Sequence, residues 1–290
     1  MKDDKSTFVE DDFKEIIEYY DKTRFDYRVA WDNSPTPAVH FGFYRTNTES
    51  HTNALMNTNE VLAELANIKA GEKVLDAGCG KGGSSFWLVQ NKQAKATGIT
   101  PVQTQIDDCI SQAKTLQLEK ETTFVLADYC NTPFPDASFD VVWACESLCH
   151  AKDKSIFYQE AYRLLKPGGR IIIAEYLRTE RPLHSNGEKM LMSWLNRWAI
   201  DDIDTQDEHL QHAKKAGFRD IKIDDVTPNM EKSLRKLYEN SKKWTWLSIL
   251  MKLVRVRTQV QHDNLDASIV QYEALKDSAW FYAFISAKKE

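Results

Sequence analysis

The segment between Gly71 and Arg178 alternates short apolar runs with helical patterns, and this alternation limits the fold more than any other feature. The apolar runs are almost continuous, which is typical of strands that are buried on both faces of a parallel sheet. The predicted strands are 74–78, 95–100, 123–128, 139–146 and 170–176, and the predicted helices are 84–91, 102–116 and 153–165. This order predicts an α/β domain built from βαβ units, with a KPGG turn at 166–169.

The regions on either side of this segment are mostly helical. Predicted elements there are helices 8–22, 52–66, 184–200, 205–216 and 229–272, and strands 221–226 and 280–288. Gly217 ends the fourth of these helices as a C-cap residue, and the last one is expected to break near residue 240. The chain then divides into an amino-terminal helical lid (1–58), a core (59–183), cap insertions (184–204 and 229–272) and the remainder of the core (205–228 and 273–290).

A glycine-rich loop, DAGCGKGG at 76–83, lies between the first predicted strand and its helix. Glycines there let the backbone turn tightly and let a ligand approach the amides. Gly78, Gly80 and Gly83 match the dinucleotide pattern only loosely, so nicotinamide binding stays open on this motif alone. The carboxylate of Asp76, two residues before Gly78, suits a cationic ligand better than a pyrophosphate.

Composition excludes several classes of protein. The 290 residues include 38 Lys and Arg against 43 Asp and Glu, so the formal charge of −5 gives no general attraction to nucleic acid. Five cysteines form no CxxC pair, which predicts reduced thiols and no metal site. The acidic start has no signal-peptide pattern and no apolar run reaches about 18 residues, so a cytoplasmic location is expected.

Residues 228–262 are basic, unlike the rest of the chain, with eight Lys or Arg against two Glu. Aromatic and aliphatic residues alternate with these charges in WTWLSILMKLVRV. Such a segment could contact an anionic membrane surface, line a pocket for a lipophilic substrate, or be a cap helix whose apolar face is core. The sequence leaves these three interpretations open.

Four motifs together resemble a known family. VLDAGCGKGG, TGITPVQ, ADYCNTPFPDASFDVVWACESLCH and LLKPGGRIIIAEY follow the order and spacing of motifs in S-adenosylmethionine-dependent methyltransferases with the Rossmann-like fold. The resemblance is strongest to the small-molecule group with tocopherol and sterol C-methyltransferases and natural-product sugar O-methyltransferases. It implies a doubly wound, mostly parallel seven-stranded α/β sheet with an antiparallel last strand, under a helical cap from the N-terminus and the C-terminal insertions.

The resemblance also implies a cofactor, S-adenosyl-L-methionine, with S-adenosyl-L-homocysteine as product. Gly78 and Gly80 would place backbone against its methionine part, and Asp76 would orient its amino group. Asp128 and Tyr129 would hold the adenine. The acidic residue that usually ends the second strand is replaced by Thr100, so Thr100 and Gln103, with Gln105 nearby, become the candidate ribose contacts.

Methyl transfer is an in-line displacement, so the protein mainly orients the nucleophile and, where needed, removes its proton. His150 lies just past the fourth predicted strand and Glu175 near the end of the fifth, so if these strands are neighbours Glu175 could hold the His150 ring and raise its basicity. In the sugar O-methyltransferase-like members, the resemblance assigns a histidine and a carboxylate at these positions the roles of base and orienter. In the sterol-like members this region faces an alkene, and Glu146 would stabilise a developing cation. The resemblance makes Tyr19, Tyr20 and HFGFY (40–44) a lid over the cofactor.

These features predict a methyltransferase that acts on a small, largely apolar acceptor such as a terpenoid, sterol or tocopherol-like compound, by C- or O-methylation. N-methylation of a small alkaloid or amine is the alternative within the class. A non-catalytic S-adenosylmethionine-binding module and a nicotinamide oxidoreductase are the alternatives outside it. Five aromatic residues of the cap are expected to shape a flat apolar pocket: Trp194, Trp198, Trp244, Trp246 and Tyr272.

Overall fold

The computed structural model describes residues 10–31, 40–253 and 257–290. The strands are β1 (Lys73–Ala77), β2 (Lys95–Thr100), β3 (Thr122–Leu126), β4 (Phe139–Cys145), β5 (Leu165–Arg178), β6 (Arg219–Asp225) and β7 (Trp280–Lys288). The α-helices are α1 (Lys14–Trp31), α2 (His51–Leu65), α3 (Gly83–Lys92), α4 (Gln103–Leu116), α5 (Lys154–Leu164), α6 (Ser185–Arg197), α7 (Gln206–Ala216), α8 (Thr227–Leu253) and α9 (Gln259–Lys276). Single 3-10 turns lie at Glu10–Phe13 and Leu148–His150.

The strands form one sheet in the order β3-β2-β1-β4-β5-β7-β6. Strands β1 to β5 pair in parallel, and β7 runs antiparallel to both β5 and β6. The predicted fold class is therefore confirmed. Strands β2 and β3 are added on one side of β1, whereas β4 and β5 are added on its other side, so the strand order reverses between β1 and β4. Open α/β sheets bind ligands at the carboxyl ends of the strands at such a switch point.

Two apolar layers cover the sheet because β4 and β5 are hydrophobic on both faces. One layer includes Trp194, Leu234 and Trp280 from the cap side. The other includes Phe157, Leu164 and Phe218 from the side of α5 and α7. The side chains of Val141–Ala144 and Ile171–Ala174 are all buried between them. This explains why the two strands carry apolar runs and no alternation.

Local capping signals place α7 as predicted. The Thr205 side chain accepts a hydrogen bond from the backbone N–H of Glu208, whose carboxylate accepts one from the backbone of Thr205. Gly217 follows the helix with a φ of 106°, a left-handed conformation that glycine adopts without strain. The predicted C-cap is confirmed.

Four predicted boundaries are wrong. The first helix continues to Trp31 and does not end at 22; residues 1–9 and 32–39 of the predicted amino-terminal elements lie outside the described residues. The boundary at 58 falls inside α2, whose Leu62 and Ala63 pack in the core, so this helix belongs with the sheet. The KPGG turn is an irregularity within β5, where the pairing with β4 shifts.

The fourth difference concerns the long cap helix. Helix α8 is continuous through residue 240 and is described to Leu253, and a separate helix, α9, begins at Gln259 after the N-cap residue Thr258. Asn240 and Ser241 face the central cavity from consecutive positions of this helix. Two consecutive polar residues interrupt the apolar pattern of a helix, so the sequence predicts a break there although the helix continues along the cavity.

In residues 10–31, 40–253 and 257–290, none of the helices combines the length and hydropathy that a span requires.

Candidate functional site

A cavity of about 710 Å³ lies between the carboxyl edge of the sheet and the cap. The strand ends and the loops that follow them supply one side of its wall, including Asp76, Gly80, Thr100, Glu146 and His150. Helices α8 and α9 supply the other side; Ile16, Tyr19 and Tyr20 of α1 and Phe13 of the 3-10 turn before it complete the wall. The glycine loop and the cap therefore share one cavity.

Two glycines of the loop have different surroundings: Gly78 is tightly packed, and Gly80 is not. Gly78 has a φ of 86°, and a Cβ there would lie 2.3 Å from the Cβ of Ser147. Gly80 also has a positive φ, of 51°, but nothing lies within 4 Å of the position of its Cβ. Gly78 therefore lets β1 and the loop after β4 approach each other, whereas the backbone at Gly80 is open to the cavity.

Asp76 lies at the end of β1 with its side chain buried. The Ser85 hydroxyl donates a 2.6 Å hydrogen bond to its Oδ2. Burial raises the pKa of Asp76 to about 6, against the lowering effect of the hydrogen bonds from Ser85. A buried carboxylate beside the open backbone of Gly80 fits the ammonium and sulfonium charges of S-adenosylmethionine.

Of the two residues predicted as ribose contacts after β2, one lines the cavity and the other does not. Thr100 lines the cavity and donates a 2.6 Å hydrogen bond to the side-chain oxygen of Gln105, which also lines it. Gln103 is exposed, outside the cavity wall, and its amide donates to Asp107. The first turn of α4 thus places Gln105 in the cavity wall and Gln103 outside it, and the ribose contact remains a prediction.

The loop after β3 places one of its two predicted residues in the cavity wall. Tyr129 lines the cavity, and its hydroxyl donates a 2.9 Å hydrogen bond to the backbone oxygen of Ser147. The Asp128 carboxylate accepts a 2.7 Å hydrogen bond from the backbone of Cys130 and is not part of the wall. The adenine contact of Asp128 remains a prediction.

His150 ends the short turn after β4, with both ring nitrogens in hydrogen bonds. Nδ1 lies 3.2 Å from the backbone oxygen of Ala199, and since a carbonyl only accepts, Nδ1 carries the hydrogen. Nε2 then accepts from the hydroxyl of Tyr20 at 3.0 Å. Burial lowers the pKa of His150 to about 4, so the ring is neutral near pH 7.

The predicted contact between Glu175 and the His150 ring is wrong. The Glu175 carboxylate accepts hydrogen bonds from the backbone N–H groups of Cys149 at 2.8 Å and Tyr176 at 2.9 Å. The first N–H groups of a helical turn have no acceptor within the turn, and Glu175 supplies one. Burial raises its pKa to about 7. Glu175 thus positions the backbone that carries His150.

Glu146 is a carboxylate of the cavity wall that accepts three hydrogen bonds. Its Oε1 accepts from the backbone of Phe41 and the hydroxyl of Tyr282, both at 2.7 Å, and its Oε2 accepts from the hydroxyl of Tyr176 at 2.5 Å. Its backbone has a φ of 51°, uncommon for a residue with a side chain. Burial raises the pKa of Glu146 to about 7, although the hydrogen bonds from the two tyrosines lower it.

His40 is predicted from the sequence only as part of the lid, and the structure places it in the cavity wall as well. Its side chain is buried and lines the cavity. Nδ1 lies 3.0 Å from the backbone oxygen of Phe41, whereas the buried Nε2 has no hydrogen-bond partner among the residues that the structure describes. Burial lowers the pKa of His40 to about 4. No local signal separates His40 from the aromatic residues beside it.

The lid and the cap meet above the cavity. The Tyr19 hydroxyl donates a 2.7 Å hydrogen bond to the side-chain oxygen of Asn264 on α9. Of the five cap aromatics expected to shape the pocket, Trp198 and Trp244 line it. Trp194 is buried in the core instead, Trp246 is 66% exposed, and the hydroxyl of Tyr272 donates to Glu231.

Comparisons with known proteins agree with this geometry. A family model described as a methyltransferase domain matches residues 75–173. The chain is 28% identical to 27-O-demethylrifamycin SV methyltransferase from Amycolatopsis mediterranei, over 69% of this chain and 74% of that relative. It is 33% identical to cycloartenol-C-24-methyltransferase 1 from rice, Oryza sativa subsp. japonica, over 71% of this chain but only 59% of the relative's length.

A solved structure shows the same fold over nearly the whole chain. The crystal structure of the cyclase SpnF aligns with a TM-score of 0.77 and 23% identity, covering 94% of each chain. At this level of identity the likeness concerns the fold.

Proposed function

The chain carries a methyltransferase domain of the S-adenosylmethionine-dependent, Rossmann-like class, and from this premise we propose that it methylates a small, largely apolar acceptor. The single observation that supports this most strongly is the shared cavity. The glycine loop with Asp76 lies at one side, and apolar cap residues such as Trp198, Trp244 and Leu265 lie at the other. One chamber can therefore hold a cationic cofactor and an apolar acceptor together.

When bound, S-adenosylmethionine supplies an electrophilic methyl group on a sulfonium. The chain's own residues then have separate tasks. The open backbone of Gly80 and the Asp76 carboxylate would hold the methionine part of the cofactor, and Thr100 and Gln105 would meet its ribose. Tyr20 and His150 would close the lid and exclude water from the acceptor.

Glu146 is the candidate base or cation stabiliser. A group with a pKa near the working pH is the most effective proton acceptor, and Glu146 titrates at about 7. Its hydrogen bonds to three different parts of the chain hold it in one orientation. Orientation of this kind is what an in-line displacement requires of a protein.

The comparisons support both O- and C-methylation, since one relative is named for an oxygen and the other for carbon 24. N-methylation of a small amine is a further candidate within the class. SpnF is named a cyclase, so the shared fold alone does not determine the reaction. A non-catalytic binding module would hold the cofactor without turnover.

The experiment is to incubate the protein with methyl-labelled S-adenosylmethionine and an extract of its source cells. The label is then partitioned between organic, aqueous and macromolecular fractions. Label in the organic fraction, with equivalent S-adenosylhomocysteine, is the expected result. Label in protein or nucleic acid would overturn the small-molecule proposal. Cofactor binding without any transfer would favour a binding module or a reaction of another type.

We also propose that the outer face of α8 contacts an anionic membrane surface. Trp246 and Ile249, three residues apart on one helix face, are 66% and 47% exposed. Lys242 and Lys243 are exposed beside them. Apolar side chains bordered by lysines are typical of helices that lie in the membrane interface. Trp244 of the same segment lines the cavity, so an acceptor dissolved in lipid would have a short path to the site.

A further inference from the structure

Helix α8 lines the cavity with polar as well as apolar side chains. Leu237 and Trp244 are among the apolar ones, and Lys236, Asn240 and Ser241 are among the polar ones. Lys236 and Asn240 are four positions apart, so they lie one turn apart on the same side of the helix. Ser241 follows directly and is only 5% exposed. Adjacent turns of one helix thus place an ammonium, an amide and a hydroxyl in the cavity wall.

These three side chains have no partners within the part of the chain that the structure describes. No hydrogen bond or ion pair joins Lys236, Asn240 or the Ser241 hydroxyl to another described residue. Lys232, one turn earlier on α8, differs because its ammonium donates a 2.8 Å hydrogen bond to the backbone oxygen of Asn47. Donors that face a cavity and that the protein does not use are available to a ligand.

The charge of Lys236 has no counter-ion among the described residues. Burial lowers the pKa of its ammonium, and no described carboxylate opposes this effect. Burial also lowers the pKa of His51 to about 4, and the charge of Lys236 adds to that shift, so the ammonium lies near the start of α2. Lys236 is not among the described groups that shift the pKa of Glu146, which places the ammonium and the candidate base at different parts of the wall. A partly desolvated cation without a counter-ion favours an anion beside it.

We propose that the methyl acceptor carries an anionic group, a carboxylate or a phosphate, that pairs with Lys236 and accepts hydrogen bonds from Asn240 and Ser241. This inference rests on the proposed methyltransferase function and narrows its substrate class to amphipathic anions. The apolar body of the acceptor contacts Leu237 and Trp244, and its charged end contacts the polar part of the same helix. Anchoring one end by charge orients the rest of the molecule, and an in-line displacement requires such orientation.

S-adenosylmethionine also carries a carboxylate, which is a second anion within the cavity. Its predicted binding residues, Asp76 and Gly80, lie across the cavity from α8. The position of Lys236 on the cap therefore favours the acceptor, and the affinity for S-adenosylhomocysteine separates the two anions in the test.

The first arm of the test uses the labelled product that forms with the cell extract. The product is extracted into organic solvent at about pH 3 and at about pH 9, since a carboxylic acid is neutral only at the lower pH. Label that enters the organic phase only at the lower pH is expected for a carboxylate, and label that stays aqueous with the mass of a phosphate is expected for a phosphate. Label extracted at the higher pH belongs to a product without an anionic group. That result would overturn the inference and leave the methyltransferase function standing.

Variants of Lys236 provide the second arm. Lys236→Met keeps the length of the side chain and removes its charge, and we expect kcat/KM for the acceptor to fall about fivefold or more. Lys236→Arg restores a cation and should recover most of this loss. Lys189→Met changes an exposed lysine of α6 outside the cavity wall and should behave as the wild type does. Unchanged kcat/KM in Lys236→Met would refute the role of Lys236.

The cofactor affinity of the same variant excludes the other anion. The Kd for S-adenosylhomocysteine should stay within about twofold in Lys236→Met, because the lysine is expected to meet the acceptor. A Kd raised about fivefold or more would assign Lys236 to the cofactor carboxylate and overturn the inference.

Probe binding decides the question without turnover. The wild-type protein is saturated with S-adenosylhomocysteine and titrated calorimetrically with 1-naphthoate or 1-naphthamide, two flat probes that differ in charge. 1-Naphthyl phosphate and 1-naphthol form the matched pair for a phosphate. The anionic member of at least one pair should bind about fivefold more tightly, and the difference should disappear in Lys236→Met. Equal affinities within both pairs would overturn the inference, whereas absence of any methyl transfer would contradict the proposed function.

Discussion

The hydroxyl of Tyr20 lies 3.0 Å from Nε2 of His150, so one hydrogen bond joins the lid helix α1 to the turn after β4. The two residues are 130 positions apart in the chain. Tyr20 also packs edge to face against the His150 ring, with ring centroids 5.7 Å apart. His150 is therefore a point where the lid is attached to the core, besides being a candidate for the chemistry.

Replacing Tyr20 by phenylalanine should loosen this attachment. We expect Tyr20→Phe to weaken cofactor binding about fivefold, since a hydrogen bond contributes about 1 kcal/mol, with little change in melting temperature. Isothermal titration with S-adenosylhomocysteine measures the effect. Tyr162→Phe, on α5 and outside the cavity wall, is the matched control and should bind as the wild type does. Equal affinities in all three proteins would remove Tyr20 from the lid contact.

Glu146→Gln should lower turnover about 100-fold if the carboxylate is the proton acceptor. In the wild type kcat/KM should rise with pH through about 7, because only the ionised carboxyl accepts a proton and its pKa is about 7. Steady-state rates between pH 5.5 and 8.5 measure both effects. A rate independent of pH in this range, with full activity in the variant, would exclude this role.

Glu146→Gln also shows how much the Glu146 carboxyl contributes to the pH dependence of the protein's stability. The folded pKa of Glu146 is raised from 4.5 to about 7, so its protonated form is favoured in the folded state. Stabilisation from this group is complete below about 4.5 and is lost as the pH rises through about 7. The difference in melting temperature, wild type minus Glu146→Gln, should therefore be smaller at pH 8 than at pH 5. Glu119→Gln, an exposed control, should show no such change.

Gly78→Ala should destabilise the protein by several kcal/mol. The new Cβ would lie 2.3 Å from the Cβ of Ser147, closer than real atoms approach, and the backbone has a φ of 86°. A fall in melting temperature of about 5 °C or more is expected by calorimetry. Gly168→Ala has a similar φ of 75° but nothing within 4 Å of the added Cβ. That control should lose much less, and an equal loss would show that backbone conformation alone is responsible.

Two glutamines of α4 are candidate ribose contacts: Gln103, predicted from the sequence, and Gln105, which lines the cavity. Gln105→Ala should weaken S-adenosylhomocysteine binding about fivefold or more, because Gln105 lines the cavity and pairs with Thr100. Gln103→Ala should leave the affinity unchanged, since its amide donates to Asp107 on the exposed side. The reverse order of affinities would contradict the placement of this helix.

Membrane contact by α8 is tested with vesicles of phosphatidylcholine containing phosphatidylserine. Trp246→Ala and Lys243→Glu should each reduce the bound fraction in a sedimentation assay, and salt should reduce it in the wild type. Ile156→Ala removes a side chain as exposed as Ile249, 47%, but on α5. This control should bind like the wild type. Binding that none of these changes affects would refute the contact.

Much of the fold follows from local patterns. The apolar runs of β4 and β5 predict a sheet covered on both faces, and Gly217 predicts the end of α7, because each depends on residues a few positions apart. The glycine loop and the Glu146 to His150 segment follow the carboxyl ends of β1 and β4, where the topology places a ligand. The sequence by itself therefore determined the architecture and the edge of the sheet at which a ligand is expected, and the resemblance of its motifs to a known family implied the cofactor class.

Only the tertiary structure decided which atoms meet there. Glu146 receives hydrogen bonds from Phe41, 105 residues earlier in the chain, and Tyr282, 136 residues later. Glu175 contacts backbone amides and not the ring of His150, and Gln105 replaces Gln103 in the cavity wall. Periodicity specifies which face of an element is apolar, but the pairing of individual polar atoms depends on how distant elements pack. That Nε2 of His40 meets no hydrogen-bond partner within residues 10–31, 40–253 and 257–290 likewise follows only from the packing of distant elements.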